Sequence, residues 1–274
     1  MIPAATLALL LAAGPGAHAD PPAIGAAGDS CTTVPAMPAI IRDYHLQTLA
    51  ARTANRPYPR APAEAAKAYS AWQRSLRDTD FAGQCRYREA NRLLGERPEV
   101  VFFGDSITEA WPDVSPGFFP ARWINRGIAG QTTAQMIGRF RADVIDLHPA
   151  SVHILAGIND IAGATGPATL DQIAGNIASM AELARLHGIR VVLGTLLPAG
   201  AWQGDDHADR AAAVAALNDW LRRYAAAQGI TLIDYHPALV AAGDGMAADL
   251  SADGIHPNAR GYTVMERTAR AALP

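Results

Sequence analysis

Hydrophobic positions change rhythm near residue 98 of this 274-residue chain. Beyond that point, short apolar runs alternate with longer stretches that are apolar on one side only. The runs at 100–103, 123–125, 152–156, 191–196 and 231–234 predict strands. Between them, residues 132–147, 169–187 and 208–228 carry apolar side chains at helical spacing, and a last helix is expected over 259–272. Runs that lack polar alternation belong to strands covered on both faces, as in a parallel sheet flanked by helices. The expected fold is α/β, a five-stranded parallel sheet in a three-layer α/β/α sandwich with right-handed crossovers.

The chain before residue 98 has another texture. Residues 40–96 read as helical in pieces, with Pro57, Pro59 and Pro62 as interruptions. Tyr69, Trp72 and Leu76 share one helical face and are expected to pack. Residues 20–97 therefore form a partly helical N-terminal extension ahead of a domain over 98–274. Residues 1–19 read as a secretory signal peptide, apolar from Ile2 to Ala13, broken by Gly14-Pro15-Gly16 and ending in Ala17-His18-Ala19. Cleavage after Ala19 would leave a secreted or periplasmic protein. The apolar segment is shorter than the roughly 20 residues a membrane span needs, and no later segment qualifies.

Composition narrows the function. Hydrophobic residues make up 50% of the chain and charged residues 18%, which suits a packed core and excludes a disordered chain. A net charge of −3 without any basic run gives no footprint for nucleic acid. The two cysteines, Cys31 and Cys85, are expected to form one disulfide in an exported protein. Closing that loop is worth roughly 4 kcal/mol if the bond is unstrained.

The chemistry gathers after the strands, where ligands of open α/β sheets bind. The first strand runs into Gly104-Asp105-Ser106, which holds a hydroxyl at the sheet edge. After the second comes Gly127-Ile128-Ala129-Gly130, and after the third Gly157-Ile158-Asn159-Asp160. Before the last helix stands Asp253-Gly254-Ile255-His256. Acyl transfer needs a nucleophile, a base, a group that orients the base, and donors for the oxyanion. Ser106, His256 and Asp253 fill the first three roles in that order. The backbone N–H groups of Ser106 and Gly130 and the Asn159 side-chain amide fill the fourth. A second Gly-Asp-Ser at 28–30 lacks a preceding strand and is set aside. Asp253 and His256 have no third ligand nearby, so no metal is assigned.

These four blocks resemble those of the SGNH (or GDSL) hydrolases, over roughly residues 98–272. The resemblance implies a flavodoxin-like sandwich, esterase chemistry without a cofactor, and the roles just assigned, with Gly130 as the oxyanion glycine. It does not explain residues 20–95. Trp111, Trp202 and His207 are expected substrate contacts, the first close behind the nucleophile and the others in the loop after the fourth strand. Asp160 is expected to brace its loop.

The expected activity is a secreted serine esterase for small carboxylic esters, foremost acetyl groups on carbohydrates. The partner is then a small-molecule or glycan ester. An O-acetyltransferase, a lipase or thioesterase, and a non-catalytic carbohydrate-binding module are the alternatives. Oligomeric state is left open by the sequence.

Overall fold

Five consecutive residues that find no water on either side define the first strand, β1 (Val100–Gly104). The computed structural model describes residues 30–199, 207–241 and 245–273. The expected signal segment and Trp202 lie outside them. The strands β2 (Trp123–Gly127), β3 (Ser151–Leu155), β4 (Arg190–Gly194) and β5 (Thr231–Ile233) join β1 in an all-parallel sheet. Their order is β2-β1-β3-β4-β5. The expected five-stranded α/β/α sandwich is therefore present, strand for strand.

Alternation along β1 builds the two faces. Val101 and Phe103 point to one, where they meet Met136 and Phe140 of α5 (Thr133–Asp143). The helices α7 (Leu170–Leu186) and α8 (His207–Gln228) complete that layer through Ile173, Ile177 and Leu217. Val100 and Phe102 point to the other face, against Trp111 of α4 (Ser106–Val114) and Tyr262 and Met265 of α10 (Ala259–Arg270). Each large apolar side chain so buried contributes about 1.5–3 kcal/mol. Two short helices, α6 (Ile158–Ile161) and α9 (His236–Leu239), follow β3 and β5.

The N-terminal region supplies α1 (Ala39–Thr53), α2 (Ala63–Thr79) and the single turn α3 (Arg88–Arg92). Pro62 sits at the N-cap of α2, where its missing N–H costs nothing. Helices α1 and α2 pair, and α1 packs on α4. Residues 33–274 make one compact unit. The preceding unit ends at Thr32, and its described part is the start of a 3-10 turn, Ser30–Thr33. Cys31 and Cys85 are disulfide-bonded, as expected.

Two details differ from the expectation. Strand β2 runs two residues further, so Arg126 and Gly127 are strand rather than loop. Gly127 pairs with Gly104, and a Cβ on it would lie 2.2 Å from the Glu109 backbone nitrogen. The pairing with β1 continues through Phe103 and Arg126, and the buried Arg126 guanidinium is satisfied there, donating from Nε to Asn91 Oδ1 (2.7 Å) and stacking on Tyr87. Trp111 is the second correction. It is a core residue with no solvent exposure, stacked on Phe118 and edge-on to Phe102. As the sixth residue of α4 it points back onto the sheet instead of over its rim.

Candidate active site

Parallel register sets the height of every functional loop. Gly104 aligns with Gly127 on one side and with Leu155 on the other, so three loops leave the sheet at one level. No side chain fits at Gly104, where a Cβ would lie 2.2 Å from Thr108 Oγ1 and 2.6 Å from the Leu155 carbonyl oxygen. The chain then turns sharply at Asp105, which caps α4 by accepting the Ile107 N–H (2.9 Å). That turn leaves Ser106 as the first helical residue. Burial pushes the Asp105 carboxyl up to about 7, opposed by the Ile107 N–H and reinforced by nearby Asp160.

Ser106 Oγ lies 2.9 Å from His256 Nε2, and His256 Nδ1 lies 2.7 Å from Asp253 Oδ2. The loop that carries both partners is folded around the Asp253 carboxylate. Oδ1 accepts the backbone N–H groups of Ile255 (3.0 Å) and His256 (2.8 Å). The Ser251 hydroxyl bridges Asp253 Oδ1 (3.1 Å) and the His256 carbonyl oxygen (2.8 Å). Burial alone would raise the Asp253 carboxyl. Bonds from the His256 ring and from two backbone amides outweigh it and hold the group well below the usual carboxylate range. The imidazole is thereby kept with Nε2 toward the hydroxyl, ready to take its proton.

The donors expected for an oxyanion converge on the same space. Gly130 lines the cavity with φ +78°, a left-handed conformation that favours glycine. Neither its amide nor that of Ser106 donates to a protein acceptor among the described residues. Asn159 Nδ2 donates one hydrogen to the Gln131 carbonyl oxygen (3.0 Å), which fixes the amide plane and leaves a second hydrogen. Asp160 braces the loop as expected, accepting the Thr133 N–H (2.9 Å) and hydroxyl (2.6 Å).

Two supports were not foreseen. Glu109, one turn beyond Ser106, accepts the Ala129 N–H on Oε2 (2.9 Å) and pairs through Oε1 with Arg86 (3.1 Å). It ties the Gly130 loop to the helix that starts at Ser106, and its spacing of three from Ser106 was the available signal. Beneath that loop Arg139, fully buried, reaches the Gln131 side chain (2.6 Å), the carbonyls of Arg126 (2.8 Å) and Gly104 (3.1 Å), and Asp143 (2.9 Å). Removing either charge of this buried pair costs about 3–5 kcal/mol.

A cavity of about 760 Å³ opens over Ser106, Gly130, Asn159, Asp253 and His256. Its opposite wall is the N-terminal pair of helices, with Tyr44 and Arg52 from α1 and Tyr69 and Gln73 from α2. Tyr69, expected to pack, stands at the cavity beside the Gly130 loop. A Cβ on Gly130 would lie 3.6 Å from its hydroxyl. Trp72 does pack, its Nε1 donating to the Pro35 carbonyl (3.0 Å). His207 opens α8, and its side chain is outside the described residues.

Comparison with known families decides the lineage. Residues 102–264 match the model of the GDSL-like lipase/acylhydrolase family. The chain belongs to that family. A GDSL-like lipase of known structure from Bacteroides thetaiotaomicron is 40% identical, covers 70% of this chain and 98% of its own, and superposes with a TM-score of 0.67. A Bacteroides fragilis protein of known structure is 42% identical over 70% of this chain and 96% of its own, with a TM-score of 0.66. Esterase TesA of Pseudomonas aeruginosa is 35% identical over 36% of this chain and 55% of that protein. The chain spans about half the length of the curated relatives it matches.

Proposed function

We propose that this GDSL-family protein is an exported serine esterase that cleaves small carboxylic esters, foremost acetyl esters on carbohydrates. The observation that carries the reading is the unbroken chain from Ser106 Oγ through the His256 ring to Asp253, at 2.9 and 2.7 Å. His256 Nε2 takes the Ser106 proton as Oγ attacks the ester carbonyl carbon. The oxyanion that forms accepts from the Ser106 and Gly130 amides and the free hydrogen of Asn159 Nδ2. His256 then returns the proton to the leaving alkoxide, and Ser106 is left acylated. Water, deprotonated by His256, releases the acid along the same path in reverse. Asp253 stays ionised and stabilises the imidazolium.

Short acyl groups are favoured because the void on the buried side of the site, as the described residues bound it, is small. The apolar void beside Ile107, Ile158 and Ile255 holds about 10 Å³, the space of a single water. The disulfide supports export, since such bonds persist in oxidising compartments.

A chromogenic acetate ester tests the reaction. Wild-type protein should turn it over, and Ser106→Ala should lose nearly all activity. Equal rates would remove Ser106 as the nucleophile.

A further inference from the structure

The cavity has an electrostatic sign that the chain as a whole does not. The protein carries a net charge of −3, yet Arg52, Arg74 and Arg77 all line this one space. The two carboxylates in the lining are already engaged, Glu109 by Arg86 and Asp253 by His256. No carboxylate among the described residues pairs with any of the three arginines.

Arg52 is also aimed. Its Nε donates to the Tyr58 hydroxyl (2.8 Å), and its guanidinium lies 5.5 Å from the centre of that ring. Burial pushes the Tyr58 phenol up to about 12 against the pull of Arg52, so it meets the guanidinium as a neutral acceptor. Asp253 is close enough to act on the same phenol. Arg52 is therefore held at the catalytic end of the cavity with its two terminal nitrogens uncommitted. Tyr69, Gln73, Ser70 and Thr48 add hydroxyl and amide groups and aromatic surface to the wall. A volume of about 760 Å³ suits one or two sugar rings, within the usual range for ligand sites.

We infer that the alcohol half of the ester is an acidic sugar, whose carboxylate is held by Arg52 with Arg77 and Arg74 further along the wall. Guanidinium forks match planar carboxylates, and the hydroxyl-rich wall matches a sugar better than an acyl chain. The inference rests on the esterase reading and adds the substrate class to it.

The test uses the full chain and three acetate esters: 4-nitrophenyl acetate, an acetylated oligogalacturonide and an acetylated xylo-oligosaccharide. The acidic glycan should be preferred over the neutral one by about tenfold or more in kcat/KM, as one good ionic contact provides. Its KM should rise several-fold between about 0.05 and 0.5 M salt while that of the neutral glycan stays level. Arg52→Met should cut the acidic-to-neutral ratio about tenfold, and Arg52→Lys should cut it less. Unacetylated oligogalacturonide should inhibit 4-nitrophenyl acetate hydrolysis by wild-type protein more strongly than xylo-oligosaccharide, a measurement that needs no variant. Equal preference, equal inhibition and no salt effect, in a protein that still needs Ser106 for 4-nitrophenyl acetate, would overturn the inference and leave the esterase reading intact. Turnover that persists in Ser106→Ala would instead overturn the esterase reading. Binding of oligogalacturonide to Ser106→Ala by calorimetry would then decide the anion site separately: heat with the acidic and not the neutral glycan sustains it, and none with either ends it.

Discussion

The two walls of the cavity are built to different standards. On the sheet side the polar side chains around Ser106 are each fixed by hydrogen bonds. Asp253 accepts four hydrogen bonds, Asn159 is tied to Gln131, and Glu109 joins the Gly130 loop to the helix that starts at Ser106. On the helix side α1 buries only Ile41 and Ala51, and α2 only Ala65. Their polar residues are held only by near neighbours in the same stretch, Tyr44 by the Pro59 carbonyl, Arg52 by Tyr58 and Gln73 by Tyr69. The difference separates two tasks. Chemistry needs reacting groups fixed to a fraction of an ångström, whereas selection among alcohols needs a surface that can be altered without moving them.

The comparison predicts a descending series of effects. Ser106→Ala should lower kcat on a chromogenic acetate by about 10⁴ or more while leaving Tm within a few degrees. Asp253→Asn should follow at roughly 10³–10⁴, because the imidazole loses the partner that fixes its tautomer. Glu109→Ala should cost about 10–10² in kcat with little change in KM, since it frees the Ala129 amide and lets Gly130 drift. Tyr69→Ala, on the other wall, should do the reverse, raising KM for glycan esters several-fold and sparing kcat on the small acetate. A large kcat loss for Tyr69→Ala on that acetate would erase the distinction.

The smallest effect concerns acid. The Asp253 carboxyl is held below its unfolded value, so its contribution to stability is complete above about pH 4 and lost as pH falls further. Melting curves of wild type and Asp253→Asn should converge toward low pH. A constant gap from neutral to acid would show that Asp253 carries no linked proton.

What could be read in advance followed the strength of local physics. Unalternating apolar runs specify buried strands, and small residues after them specify turns, so Ser106, Asn159 and the pair Asp253 and His256 could be placed at one rim. Trp111 misled because proximity in sequence to Ser106 is not proximity in space. One and a half turns along α4 carry it to the sheet face. Tyr69 misled in the opposite sense, since an aromatic at helical spacing looks the same whether it packs or faces a cavity. Arg52, Glu109 and Arg139 left little trace, because single charges acquire their meaning from partners remote in the chain.

The covering wall has one further property. It is a single uninterrupted stretch, Ala39–Thr79, that precedes every strand, whereas the groups it faces are scattered from Ser106 to His256. Inheritance of the two is therefore separable. One crossover just after Thr79 would exchange that whole wall and keep Arg86 and Asn91, which brace Glu109 and Arg126 from ahead of β1. A chain built this way can vary that wall while the Ser106–His256–Asp253 arrangement stays as it is.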